Sequence, residues 1–211
     1  MLTSTSKRWT IKPPGNPELV RKLSGELNIS LVLANLLVQR GVKSYDEAKK
    51  FFRPSLNDLH DPFLMKDMDK AVARLEQALG DGEKILVYGD YDVDGTTAVA
   101  LMYSFLKTFY DNVDFYLPDR YKEGYGISTQ GIDYAAANNF SLIIALDCGI
   151  KSVDKIAYAN EKKIDFIICD HHRPGEKIPD AVAVLDPKRS DCDYRSEEHT
   201  SELQSRFGIS Y

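Results

Sequence analysis

From about residue 84 the chain repeats one texture. Short, continuous apolar runs alternate with segments of helical periodicity. The runs are "KILVYGD", "VDFYLPD", "SLIIALD", "DFIICD" and "AVAVLDP"; "TTAVALMYSFLKTFY", "TQGIDYAAANN" and "SVDKIAYANEKK" separate the first four. A strand with one wet face alternates apolar and polar residues, whereas a strand covered on both faces reads as an unbroken apolar run. Helices between such runs supply the cover, because parallel strands need long crossovers. The pattern therefore predicts a doubly wound parallel α/β sheet from about residue 81.

The preceding residues read differently. "NPELVRKLSGELN" and "SLVLANLLVQRG" carry apolar residues at three- and four-residue spacing, with Gly41 as a stop. "SYDEAKKFF" offers Ser44 as N-cap with Glu47 three residues later. "MDKAVARLEQALG" is a further amphipathic helix, closed by Gly80 and Gly82. The expected division is a mainly helical region over 1–80, the α/β domain over 81–194, and a tail over 195–211. That tail, "RSEEHTSELQSRFGISY", has no core periodicity and resembles the translation of a common sequencing-library adaptor. Native sequence is expected to end near Tyr194.

In a doubly wound sheet, ligands bind beyond the carboxyl ends of the strands. Each predicted strand here finishes on an acid: Asp90, Asp119, Asp147, Asp170 and Asp186. One strand-end aspartate is ordinarily the N-cap of the next helix. Five in succession, one running directly into His171 and His172, point instead to a site. The first strand goes further, placing Asp90, Asp92 and Asp94 at alternate positions in "GDYDVDG". So much like charge in one loop is unfavourable unless a cation lies among the carboxylates.

Composition narrows the setting. The net charge is −5, and it is unevenly spread: +3 over residues 1–84 and −7 over residues 85–194. That argues against bulk electrostatic attachment to nucleic acid and is compatible with a site for divalent cations. Three widely spaced cysteines, Cys148, Cys169 and Cys192, fit a reducing compartment better than a disulfide framework. The opening residues lack the apolar core of a signal peptide, and no apolar run is long enough to span a bilayer. A cytoplasmic protein is expected, with no membrane partner.

The acid-rich loop admits three readings. An EF-hand loop also begins D-x-D-x-D-G, but its twelfth position, here Leu101, must be a bidentate acid, and a helix must precede it. "DVDGT" after a strand resembles the nucleophile loop of haloacid-dehalogenase-type phosphatases, with Asp92 attacking phosphorus and Asp94 as acid/base. That family needs a later acidic pair, where this chain has Asp170-His171-His172. The third reading uses every piece. "GDYDVDG", "FYLPDRYKEGYGIS", "ALDCGI" and "CDHHRPGEKIPDAVAVLDP", in this order and spacing, resemble the DHH phosphoesterase superfamily. The lead-in "LHDPFLMKDMDKAVARL" and the "GYGIS" loop favour, within it, the RecJ-type family of single-strand-specific 5′→3′ DNA exonucleases. The resemblance extends over residues 1–194.

It implies phosphodiester hydrolysis with two Mn²⁺ or Mg²⁺ ions, in DNA repair and recombination. The implied partners are single-stranded DNA and, with it, a single-strand-binding protein and a helicase. Two divalent ions about 3.5–4 Å apart lower the pKa of bound water and grip the attacking and leaving oxygens. Carried over residue by residue, Asp90, Asp92, Asp147 and His171 are metal ligands, with Asp147 as the bridging carboxylate. His172 is catalytic, facing the scissile phosphate or the attacking water, and Asp170 serves it by orienting a histidine. Arg120 contacts a phosphate, Tyr125 stacks on a base, and Gly95 lets a phosphate approach a helix N-terminus. Asp94 is left between helix cap and water ligand.

The sequence departs from the family at Tyr88, where relatives often carry a histidine two residues before the first aspartate. A last metal-binding aspartate and two further domains belong beyond Tyr194 in the family, so the chain is expected to be nearly inactive by itself. Alternatives are a DHH enzyme acting on short oligonucleotides or cyclic dinucleotides, and a non-catalytic nucleic-acid-binding scaffold.

Overall fold

A computed structural model describes residues 10–55, 57 and 59–194; the adaptor-like tail lies outside them. Two units divide the chain, one over 1–59 with 197–211 and one over 60–196.

The first unit holds three helices. Asn16 caps α1 (Pro17–Leu27) through its side-chain oxygen, and Pro17, with no N–H to orphan, occupies the first turn. Ser30 caps α2 (Leu31–Gln39). Ser44 Oγ accepts the Glu47 N–H at the start of α3 (Tyr45–Phe52), while Glu47 reaches back to the Lys43 N–H. The predicted capping box therefore forms, shifted by one residue on its return arm. Val20, Leu23 and Ala34 form the buried seam between α1 and α2.

The second unit is a five-stranded parallel sheet. Its strands are β1 (Lys84–Gly89), β2 (Val113–Tyr116), β3 (Phe140–Leu146), β4 (Asp165–Cys169) and β5 (Ala183–Leu185). The order is β2-β1-β3-β4-β5, and every pairing is parallel. Residues 85–90 are buried without a break, as are 142–146, which is the signature of strands covered on both faces.

The helices of this unit are α4 (Met68–Asp81), α5 (Val93–Lys107), α6 (Thr129–Ala137) and α7 (Val153–Glu161). Alternate strand residues face opposite sides. Leu86, Tyr88, Ile143, Ala145, Phe166 and Ile168 meet Ile132 and Ala135 of α6 and Ile156 and Ala159 of α7. Ile85, Val87, Leu142, Ile144 and Ile167 meet Ala71 and Ala78 of α4 and Val99 and Leu106 of α5. The sequence reading grouped α4 with the helical region, but its apolar stripe covers this second face of the sheet. Gly82, at φ +70, ends it as expected.

Candidate metal centre

The strand order reverses between β1 and β3, so the crevice beyond their carboxyl ends is the switch point where doubly wound sheets place ligands. The loops leaving β1 and β3 carry Asp90, Asp92 and Asp147, and β4 delivers Asp170, His171 and His172 beside them.

Asp147 is held at φ +59, a left-handed conformation that favours glycine, asparagine and aspartate. Its N–H donates to the Cys169 carbonyl at 2.8 Å, tying the turn to the end of β4. Its Oδ1 lies 3.0 Å from His171 Nε2, with the side chain 9% exposed. Burial pushes its pKa up to about 6; Asp92 adds to the rise, while His171 and His172 oppose it. Asp147, His171 and His172 each offer one donor atom, all within 4.8 Å of one another.

Asp90 is fully buried. Its Oδ1 accepts the Gly126 N–H at 3.3 Å, and its Oδ2 has no hydrogen-bond partner among the described residues. A buried carboxylate oxygen without a donor is costly unless a cation or a proton satisfies it. Asp92 caps α5, accepting the Gly95 N–H at 3.0 Å through Oδ1. Asp94 lies exposed in the first turn of that helix.

Asp170 is differently employed. Its Oδ1 accepts the His171 N–H (2.7 Å), the His172 N–H (3.0 Å) and His172 Nδ1 (2.7 Å), and its Oδ2 accepts the Ile150 N–H (2.9 Å). Burial would raise its pKa, but these donors hold it below the usual carboxylate range. An ionised carboxylate only accepts, so Nδ1 of His172 carries a proton toward it and Nε2 is the ring nitrogen turned away from Asp170. Tyr125 Oη stands 3.2 Å from that Nε2. Burial pushes the Tyr125 hydroxyl up to about 12, with Asp90, Asp147 and Asp92 adding to the rise, so it remains a donor at neutral pH.

Two expected roles change. Gly95 was expected to make room for a phosphate. Instead it is buried, and a Cβ there would lie 2.5 Å from the Asp90 carbonyl oxygen. The missing side chain lets α5 close onto the Asp90 backbone. Asp119, one of the five strand-end acids, accepts the Tyr121 and Lys122 N–H groups and so closes its own turn. Arg120 stands over the Tyr91 ring, its guanidinium carbon 5.3 Å from the centroid, and Tyr91 meets Tyr125 edge-on at 6.1 Å. A cation–aromatic line thus runs from Arg120 through Tyr91 and Tyr125 to His172.

Sequence reasoning missed Tyr91, whose signal is an aromatic ring between two site aspartates. Asp186, counted there among the strand-end acids but not among the metal ligands, is fully buried just beyond β5. Asp186 Oδ1 accepts the Lys188 N–H, its Oδ2 lacks a partner among the described residues, and burial raises its pKa to about 6.

A buried, partnerless carboxylate oxygen, a second carboxyl raised by burial and a neighbouring aspartate, and adjacent imidazoles fit a divalent cation. Mixed carboxylate and imidazole donors suit Mn²⁺ or Mg²⁺.

Comparison with known proteins points to one family. Residues 84–209 match the DHH family, N-terminal domain. Over 197 residues the chain is 41% identical to the single-stranded-DNA-specific exonuclease RecJ of Bacillus subtilis, covering 93% of this chain and 25% of that protein. A crystal structure of exonuclease RecJ bound to manganese is 28% identical with a TM-score of 0.59, covering 72% of this chain and 41% of that one. The fold is shared with RecJ from Thermus thermophilus, solved in complex with Mn²⁺, at 24% identity and a TM-score of 0.64, covering 94% and 29%. The chain spans about a quarter of the length of the curated relatives it matches.

Proposed function

The chain belongs to the DHH family, and from that membership we propose that it forms the metal-holding part of a single-strand-specific 5′→3′ DNA exonuclease. The observation that carries the reading is the Asp147, His171 and His172 cluster beyond the β3 and β4 ends, with a buried, partnerless Asp90 oxygen at the end of the neighbouring β1.

Asp90, Asp92, Asp147 and His171 would hold the metal ions. Bound there, two Mn²⁺ or Mg²⁺ ions would lower the pKa of bound water and neutralise charge on the phosphoryl oxygens. Asp170 fixes the tautomer and ring plane of His172, leaving Nε2 directed at the scissile phosphate or the attacking water. Tyr125, 56% exposed beside that nitrogen, offers a ring to the terminal base. Arg120 neutralises a phosphate on the incoming strand. The net charge of −5 suits a nuclease that draws affinity from stacking and from a few placed contacts rather than from bulk electrostatics.

Among the described residues no helix is long and apolar enough to cross a membrane. The reading places the protein in the cytoplasm, in DNA repair and recombination, working on strands handed over by a helicase and a single-strand-binding protein.

The test is hydrolysis of single-stranded, duplex and dinucleotide substrates with Mn²⁺, measured on this chain joined to the downstream domains of a full-length relative and on the same fusion carrying Asp147→Asn, since the chain spans about a quarter of its relatives. The reading expects Mn²⁺-dependent shortening of single strands from the 5′ end, lost in the variant. Preference for dinucleotides, or activity indifferent to Asp147, would refute it.

A further inference from the structure

Tyr88 stands where the resemblance leads one to expect a histidine, and the structure gives it a definite task. It lies two residues before Asp90 on β1, so both side chains project toward the same face. Its ring is buried, stacked on Tyr116 with centroids 5.5 Å apart and planes within 15°. Its hydroxyl donates to the Gly126 carbonyl at 2.9 Å and accepts the Ser128 N–H at 3.0 Å. One hydroxyl therefore grips the backbone on both sides of Ile127.

The gripped segment carries Tyr125. Gly124 and Gly126 flank that residue at φ +83 and φ +81, conformations in which the backbone has no side chain to stiffen it. Order must come from outside the segment. Asp90 Oδ1 takes the Gly126 N–H, and Glu123 accepts from Tyr116 Oη and Ser128 Oγ. Ser128 then caps α6 through the Gly131 N–H. Gly131 leaves the space Tyr88 needs, since a Cβ there would meet the Tyr88 ring at 2.6 Å.

We propose that Tyr88 is a positioning residue: its hydroxyl clasps the Gly126–Ser128 backbone and so sets Tyr125 against His172 Nε2. In the terms of the exonuclease reading, on which the functional consequence rests, Tyr88 fixes where the terminal nucleotide meets the catalytic histidine. The clasp itself is a matter of structure and is testable without turnover.

Tyr88→Phe removes the hydroxyl and keeps the ring stacked on Tyr116. In metal-free protein, hydrogen exchange of the Ser128 amide should accelerate by about tenfold or more, with β3 and β4 amides unchanged. With isotope-labelled tyrosine, the Tyr125 ring signal, assigned by its loss in Tyr125→Phe, should shift or broaden in Tyr88→Phe. Unchanged exchange and an unmoved ring signal would overturn the proposal. So would uniform acceleration across the sheet, which would make the hydroxyl a general stabiliser only. For single-stranded oligonucleotide binding in Mn²⁺, Tyr88→Phe should weaken wild-type affinity and add little to Tyr125→Phe; additive losses would also overturn it. Should the chain joined to the downstream domains of a full-length relative bind no single strand, the exonuclease reading fails, while the exchange and ring-signal results still decide the clasp.

Discussion

Asp147→Asn separates the electrostatic cost of the candidate metal centre from its use. The wild-type carboxyl is raised from 3.8 to about 6, chiefly by burial and then by Asp92. A raised carboxyl pKa means the folded state holds the proton more tightly. Ionisation therefore destabilises the metal-free fold progressively as pH climbs from about 4 to about 6, and the full cost persists above that. Two pKa units correspond to about 3 kcal/mol, an upper value because solvent reaches part of the site. Asparagine keeps the shape and tolerates the left-handed backbone at φ +59. It removes the charge but also the attraction to His171, 3.0 Å away. The net expectation at pH 7.5, without metal, is a gain of ~1–2 kcal/mol, or about 3–8 °C in unfolding midpoint. At pH 4 the gain should vanish. Mn²⁺ at a hundredfold excess over its dissociation constant should stabilise the wild type by about 2.7 kcal/mol. The variant should lose more than half of that. Thermal unfolding at two pH values, with and without Mn²⁺, measures all four quantities. A variant that is less stable than wild type without metal at pH 7.5, or equally stabilised by Mn²⁺, would refute the reasoning.

The strands were legible because parallel strands buried on both faces leave an unbroken apolar run, and all five runs became strands. The acids at their ends were legible because a parallel sheet brings every carboxyl terminus to one edge. Which way each acid points was not written in the pattern. Asp119 and Asp170 are both strand-end aspartates followed by polar residues, yet one closes a surface turn and the other fills four donors beneath two histidines. The difference is set by what lies across the sheet, here Ile150, far from Asp170 in sequence. Gly95 was misread for the same reason: a missing Cβ can admit a ligand or a backbone, and only the tertiary contact with Asp90 decides. Placement of α4 was equally hidden, since an amphipathic stripe announces that a face is covered without naming the surface it covers. Tyr88 and Tyr91 read as strand and loop aromatics until their partners in the 120–128 segment were in place.

Three further perturbations probe these contacts. Asp170→Asn turns an amide N–H₂ toward groups that are all donors, and should cost about 2–4 kcal/mol in denaturant unfolding at pH 7. In the wild type, the contribution of Asp170, whose pKa is lowered on folding, is present above the ordinary carboxylate pKa and is lost as pH falls through the folded value. Arg189→Ala should cost about 3 kcal/mol, because the guanidinium bonds the Asp67 carboxylate (2.7 Å) and the Val184 carbonyl (2.6 Å) with its side chain 7% exposed. An unfolding midpoint within error of wild type would show that Lys70 alone satisfies Asp67. Gly95→Ala introduces a methyl 2.5–2.9 Å from three backbone atoms of Asp90, none of which can swing aside like a side-chain tip. Overpacking against backbone should cost about 2–3 kcal/mol and push the start of α5, with Asp92, away from Asp90. Gly80→Ala, where a Cβ meets nothing within 4 Å, is the matched control and should be neutral or stabilising by up to about 1 kcal/mol. If Gly95→Ala unfolds with the control and titrates Mn²⁺ like wild type, the close approach of α5 to Asp90 does not build the site.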